Sequence, residues 1–185
     1  MEDSWAPNFI YYVLYIMKTI YLVRHAKSDR NDYDGNDKER GLSSEWKHDA
    51  KTMSTFMRDN NISLDRILTS PAKRARKTAK KFAKKLAVEK SHQLRYDDLY
   101  MAPAKILRKH IKSLDPSWSN VMIVAHNPGL EELVQSFDDA FGHYPTCGVV
   151  VLQLNNKERS KSEPSAWKIK DIRLPKKNHV EEAKE

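Results

Sequence analysis

The chain has 185 residues, one domain's length at ~150 residues per domain and enough to bury a core without disulfides or metal. Hydrophobic residues make up 39% and charged residues 31%, which excludes both a disordered chain and a membrane-embedded one, and the one cysteine, Cys147, excludes an internal disulfide or a CxxC site. The net charge of +8 is local: nine Lys and Arg face one acid, Glu89, between Lys73 and Lys90, and the remaining 24 basic and 24 acidic residues balance.

At the N-terminus an apolar run, Phe9 to Val23, is broken by Lys18 and Thr19 and falls short of the ~18 residues a transmembrane helix needs. Glu2 and Asp3 stand where a signal peptide carries its basic region. The expectation is a soluble, cytoplasmic protein with no membrane partner. Regular structure begins at Met17-Lys18-Thr19. Residues 1–16 therefore read as an appendage, with Met17 as a candidate native start, 17–175 as one domain and 176–185 as a charged tail.

The first strand, Thr19–Val23, runs into Arg24-His25 and a polar stretch from Ser28 to Arg40. Helical periodicity covers Ser44–Met57. A second strand, Arg66–Thr69, leads to Ser70-Pro71, where Ser70 is placed to cap a helix over Pro71–Leu86. That helix has an apolar stripe of Ala75, Ala79, Phe82 and Leu86 with lysines outside it. The lysines are either a solvated face or a docking surface for an acidic protein or nucleic acid. A helix over Ala104–Leu114 precedes the strand Val121–Ala125, which has no polar alternation, as a strand covered on both faces requires. Asn127-Pro128 repeats the capping pattern before a helix over Gly129–Phe137. Two last strands, Val149–Leu154 and Trp167–Leu174, are joined by the polar loop Asn155–Ser165 with no helix between them. This order predicts a three-layer α/β/α sandwich, its central sheet mostly parallel with an antiparallel edge.

In an open parallel sheet the carboxyl ends of the strands share one rim, where ligands bind. Arg24-His25, Arg74 and His126 follow three such ends, about 50 residues apart, and are predicted to converge. Arginine forks match phosphate oxygens in pairs, so the expected ligand is an anion such as phosphate. Taken singly, each histidine reads as structural and Arg74 as surface charge; together they make a phosphate pocket. His48, His92, His110, His143 and His179 lie off these ends and are read as bystanders. Cys147 reads as a small buried residue.

The segment Leu22-Val23-Arg24-His25-Ala26-Lys27-Ser28 resembles the Arg-His-Gly signature of the histidine phosphatase (phosphoglycerate mutase-like) superfamily, in its Arg-His-Ala form. The likeness, closest to the SixA-type phosphohistidine phosphatases, continues through Asp37–Ser43, Leu68–Ala79, Val124–Leu133 and Pro145–Gly148. It implies that His25 is a nucleophile that becomes phosphorylated, with Arg24, Arg74 and His126 neutralising the phosphoryl oxygens and no metal or other cofactor required. Ser28 and Asn31, just past the nucleophile, are candidate phosphate donors or ordinary loop residues.

Relatives that cleave sugar or glycerate phosphates carry an acid for the departing alkoxide. Here the close carboxylates, Asp97 and Asp98, read equally as loop acids. Imidazole is the better leaving group, so the missing acid favours a phosphohistidine on a partner protein of histidine phosphotransfer type, in signal transduction. The alternatives are a small-molecule phosphomonoesterase using Asp97 or Asp98, and a non-catalytic phospho-ligand or nucleic-acid binding module. Nucleic acid is not the expected partner.

Overall fold

The computed structural model describes residues 18–28, 35–43, 46–154 and 167–175. The N-terminal segment 1–16, the loop Asn155–Ser165 and the tail 176–185 lie outside them, as does Asn31.

Six strands form one sheet: β1 (Thr19–Arg24), β2 (Arg66–Thr69), β3 (Gln93–Arg95), β4 (Asn120–Ala125), β5 (Val149–Leu154) and β6 (Trp167–Arg173). Their spatial order is β3-β2-β4-β1-β5-β6. Strands β3, β2, β4 and β1 are parallel, whereas β5 runs antiparallel to β1, and β6 antiparallel to β5 with a bulge between Val151 and Leu152. The helices are α1 (Trp46–Asp59), α2 (Lys73–Lys85), α3 (Ala104–Lys112) and α4 (Gly129–Gln135).

Strand alternation sorts the core into two layers. Ile20 and Leu22 of β1, Val121 and Ile123 of β4, and Val150 and Leu152 of β5 pack with Leu107 and Ile111 of α3 and Leu130 and Leu133 of α4. Tyr21 and Val23, Met122 and Val124, and Val149 and Val151 face the other way, onto Ala50, Met53 and Met57 of α1 and Ala75, Ala79 and Phe82 of α2. Period two on the strands and the apolar stripes of the helices thus produce the expected sandwich.

Two sequence expectations need correction. Strand β3 was not anticipated: it is three residues of polar edge, Gln93-Leu94-Arg95, too short for alternation to register. The caps also differ. Helix α2 begins at Lys73 after Ala72, so Ser70 does not cap it; the Ser70 hydroxyl accepts from Ala72 N–H at 3.2 Å and turns its other side to the site. Asn127 likewise spends its amide on Glu131 and the Tyr144 carbonyl, and α4 starts at Gly129.

Candidate active site

Sheet register alone brings the first two groups together. Arg24 at the end of β1 sits opposite Ala125 at the end of β4, so His25 and His126 follow on adjacent strands. The His25 N–H donates to the Ala125 carbonyl at 3.1 Å, and the ring centroids lie 4.8 Å apart. Continued past the strand ends, the alternation aims both at the α2 layer, and α2 supplies the third group. Its Thr78 hydroxyl donates to the Arg74 carbonyl at 2.8 Å and accepts from the Ala26 N–H at 3.0 Å, fastening the first turns of the helix to the loop after β1.

Arg74 is buried, and its Nε donates to His25 Nε2 at 3.3 Å. His25 Nδ1 lies 2.8 Å from the Ala26 carbonyl, which has no proton to give, so Nδ1 carries the ring hydrogen and Nε2 presents a lone pair. Burial, aided by Arg74, Arg24 and Arg40 and opposed by that carbonyl, lowers the His25 pKa to about 3. Burial likewise lowers that of His126 to about 2, with further depression from His25 and Arg74. Both rings are therefore neutral at pH 7. His126 Nε2 meets the Ser70 hydroxyl at 2.7 Å, while its Nδ1 is buried with no partner.

Arg24 is aimed by Tyr144. The buried Tyr144 hydroxyl donates to the Leu22 carbonyl at 2.7 Å, and the Tyr144 carbonyl accepts from Arg24 Nη1 at 2.5 Å. Arg24 Nη1 also lies 3.3 Å from His143 Nε2, so His143 touches the site rather than standing apart from it. Arg24 Nε and Arg40 Nε are buried without partners.

Sequence reasoning missed the carboxylate at the centre of this arrangement. Asp37 accepts from Arg74 Nη2 at 2.8 Å and from the Tyr100 hydroxyl at 2.7 Å, and its other oxygen pairs with Arg40 at 3.0 Å; its carbonyl takes Arg74 Nη1 at 2.6 Å. Burial works against its charged form, but Tyr100, Arg74 and Arg40 outweigh it and hold the carboxyl below its usual range. The Tyr100 ring stands edge-on to His126 with centroids 5.6 Å apart. An Asp and an Arg three residues apart in a polar stretch were the available signal; nothing in the local pattern marked Tyr100.

Of the remaining candidates, Ser28 forms an antiparallel bridge with Leu42 and makes no hydrogen bond with the cluster. The Asp98 carboxylate is bonded to His110 Nε2 at 2.8 Å, and Asp97 is exposed. Cys147 is buried and its thiol is pushed up by that burial. Among the described residues, no group of three His, Cys, Asp or Glu side chains has metal-binding geometry, and no helix is long and apolar enough to cross a membrane.

A buried pair of neutral imidazoles ringed by arginines at the carboxyl rim of a parallel sheet defines an anion-handling α/β protein. The family model described as the histidine phosphatase superfamily (branch 1) matches residues 20–101, so this segment, which carries Arg24, His25, Asp37 and Arg74, is similar to that superfamily. An uncharacterized chloroplastic protein of Arabidopsis thaliana is 25% identical over 172 residues, covering 86% of this chain and 79% of that one. Among solved structures, the protein assigned as phosphohistidine phosphatase SixA of Agrobacterium tumefaciens superposes with a TM-score of 0.72 at 24% identity, covering 85% of this chain and 98% of its own. A SixA protein histidine phosphatase complexed with tungstate also gives 0.72, at 16% identity over 85% of this chain and 97% of that one. These two show the shared fold.

Proposed function

We propose that the chain is a metal-independent phosphatase that hydrolyses phosphohistidine on a partner protein through a phosphorylated His25. The observation that carries this reading is the His25 ring, fixed through Nδ1, unprotonated, and presenting the Nε2 lone pair to a wall of guanidinium groups. In the first step Nε2 attacks phosphorus as the bond to the substrate's imidazole breaks. In the second, water attacks phosphorus, the bond to Nε2 breaks and inorganic phosphate leaves. Splitting the hydrolysis this way gives each displacement a nitrogen leaving group.

Charge on the phosphoryl oxygens is met by Arg74 Nε, once it turns from the lone pair it now covers, and by Arg24 and Arg40. Such preorganised cations are the main contribution a protein makes to phosphoryl transfer. His126 adds a neutral donor: if Ser70 gives its proton to Nε2, the orphaned Nδ1 carries the ring hydrogen. Asp37 keeps Arg74 seated by gripping both of its terminal nitrogens.

The substrate preference follows from the carboxylates. Among the described residues, those bonded to members of the site already have partners: Asp37 in Arg74, Arg40 and Tyr100, and Glu131 in the Tyr144 N–H at 2.7 Å and the Asn127 amide at 3.0 Å. Neither is free to protonate an alkoxide. A phosphohistidine protonated on its far ring nitrogen, whose reference pKa of ~6.5 is within reach at neutral pH, releases neutral imidazole and needs no acid from this chain. The buried, unpaired cysteine fits a reducing compartment such as the cytoplasm.

The test compares phosphohistidine with an alkyl phosphate ester, using the native chain and an Asp97→Asn, Asp98→Asn variant. Phosphohistidine should be cleaved with kcat/KM at least about 100-fold higher, the difference an acid catalyst ordinarily supplies, and the variant should match the native chain on it. Preferred ester cleavage, lost in the variant, would establish the phosphomonoesterase instead.

A further inference from the structure

The outward face of α2 carries charge that neither the core nor the catalytic cluster uses. Lys73, Lys77, Lys80 and Lys84 fall on one stripe directly opposite the buried Ala75, Ala79 and Phe82. Lys77, Lys80 and Lys84 are exposed, and among the described residues none of them has a carboxylate within ion-pair distance. Among the described residues the outward ion pair on this helix is Arg76 with Glu39 at 3.4 Å.

A helix face that merely meets water mixes signs, because Glu and Lys four apart support the helix and like charges four apart weaken it. Helix α2 has no acid at all. Lys73 and Lys77, Arg76 and Lys80, and Lys80 and Lys84 are like-charged at that spacing. Its first turn holds Lys73, Arg74 and Arg76, where the helix dipole favours acids. The helix thus maintains a single sign over three turns at its own expense, and among the described residues nothing supplies Lys77, Lys80 and Lys84 with a counter-charge.

Position says what that partner is near. Arg74, in the first turn of α2, bonds His25, so the stripe begins at the rim of the site and extends roughly 16 Å from it, at ~1.5 Å per residue from Lys73 to Lys84. A macromolecule lying on the stripe brings its own surface to the pocket mouth. The chemistry of the stripe narrows the class. Phe82, the sole aromatic of α2, is buried, so the helix offers no ring on which a base could stack.

We propose that the lysine face of α2 docks an acidic surface of the phosphoprotein substrate and steers its phosphohistidine to His25, an inference that rests on the activity proposed above. Steering of this kind acts on encounter and is screened by salt. The experiment uses the full chain and a variant carrying Lys77→Gln, Lys80→Gln, Lys81→Gln and Lys84→Gln. The substrates are an acidic histidine phosphotransfer domain phosphorylated on its histidine, and phosphoramidate as the small one.

At low ionic strength the variant should lose at least about tenfold in kcat/KM on the domain, the lower range of electrostatic steering, and stay within about twofold on phosphoramidate. Added salt should slow the native chain on the domain and leave the variant flat. Equal loss on both substrates, or none on the domain, overturns the proposal. Binding of the labelled, unphosphorylated domain is followed in parallel by fluorescence anisotropy. Lysine-dependent binding without turnover sinks the activity and leaves the surface standing; turnover with lysine-independent binding does the reverse. Lysine-dependent capture of a single-stranded oligonucleotide in preference to the domain overturns the surface in favour of nucleic acid.

Discussion

Two faces of the same helix carry positive charge under opposite conditions. Arg74 is buried, bonded to His25 through Nε and to Asp37 through both terminal nitrogens. Three residues on, Lys77 stands in water with no ion partner among the described residues. In the low-dielectric interior a cation acts strongly on whatever lies within a few ångströms, and Arg74 there adds to the burial that chiefly lowers the His25 pKa. At the surface the same charge is screened beyond ~8–10 Å at ordinary ionic strength and contributes little to local chemistry. The number of basic residues is therefore a poor guide to function; their burial and partners decide which charges do chemistry and which affect encounter.

The comparison is broken most severely by removing the inner charge. Arg74→Gln should lower kcat by about 10²–10³, the usual loss for a preorganised electrostatic donor. Circular dichroism should show the fold retained, since the Gln amide can still meet Asp37. A loss of less than about threefold would mean that Arg74 is a structural residue.

A smaller effect is expected from Asp37→Asn, which keeps the shape but surrenders the charge that grips Arg74 and Arg40. We expect kcat to fall by about tenfold, the scale of one hydrogen bond to a charged group, with KM changing less. The opposite split, a raised KM at constant kcat, would mean that Asp37 aids binding rather than the alignment of Arg74.

The least perturbing test is titration. His25 and His126 ionise at about 3 and about 2 in the folded chain, against ~6.5 for a free histidine. Between these values the unfolded chain binds more protons, so stability is full above pH ~6.5 and declines as pH falls toward 3. Asp37, depressed in the folded state, acts in the same direction at lower pH: its contribution is present above the ordinary carboxylate range and lost below it. NMR should show both imidazole signals unmoved from pH 8 to 5. A transition near pH 6.5 in either ring would contradict the neutral, buried pair.

Much of this was legible in the sequence because it rests on period and register. The strands β1, β2 and β4 and their polar ends announced where His25, Arg74 and His126 would meet. Less legible were features that arise only in three dimensions. Ser70 and Asn127 looked like caps, but each was drawn by a tertiary partner, His126 in one case and Glu131 with Tyr144 in the other. Asp37 and Tyr100 are 63 residues apart and meet through Arg74 and each other. Gly129 shows the same limit: a Cβ there would lie 1.8 Å from the Ala102 carbonyl oxygen, so the glycine permits the close approach that seats the Tyr100–Ala102 turn beside His126.

The most direct test is rapid-quench trapping with phosphoramidate labelled in its phosphoryl group. The labelled protein should carry one acid-labile, alkali-stable phosphate on His25, formed and discharged at rates compatible with turnover, and His25→Ala should show neither label nor hydrolysis. Steady hydrolysis with no labelled protein, or a label on any other residue, would contradict the account.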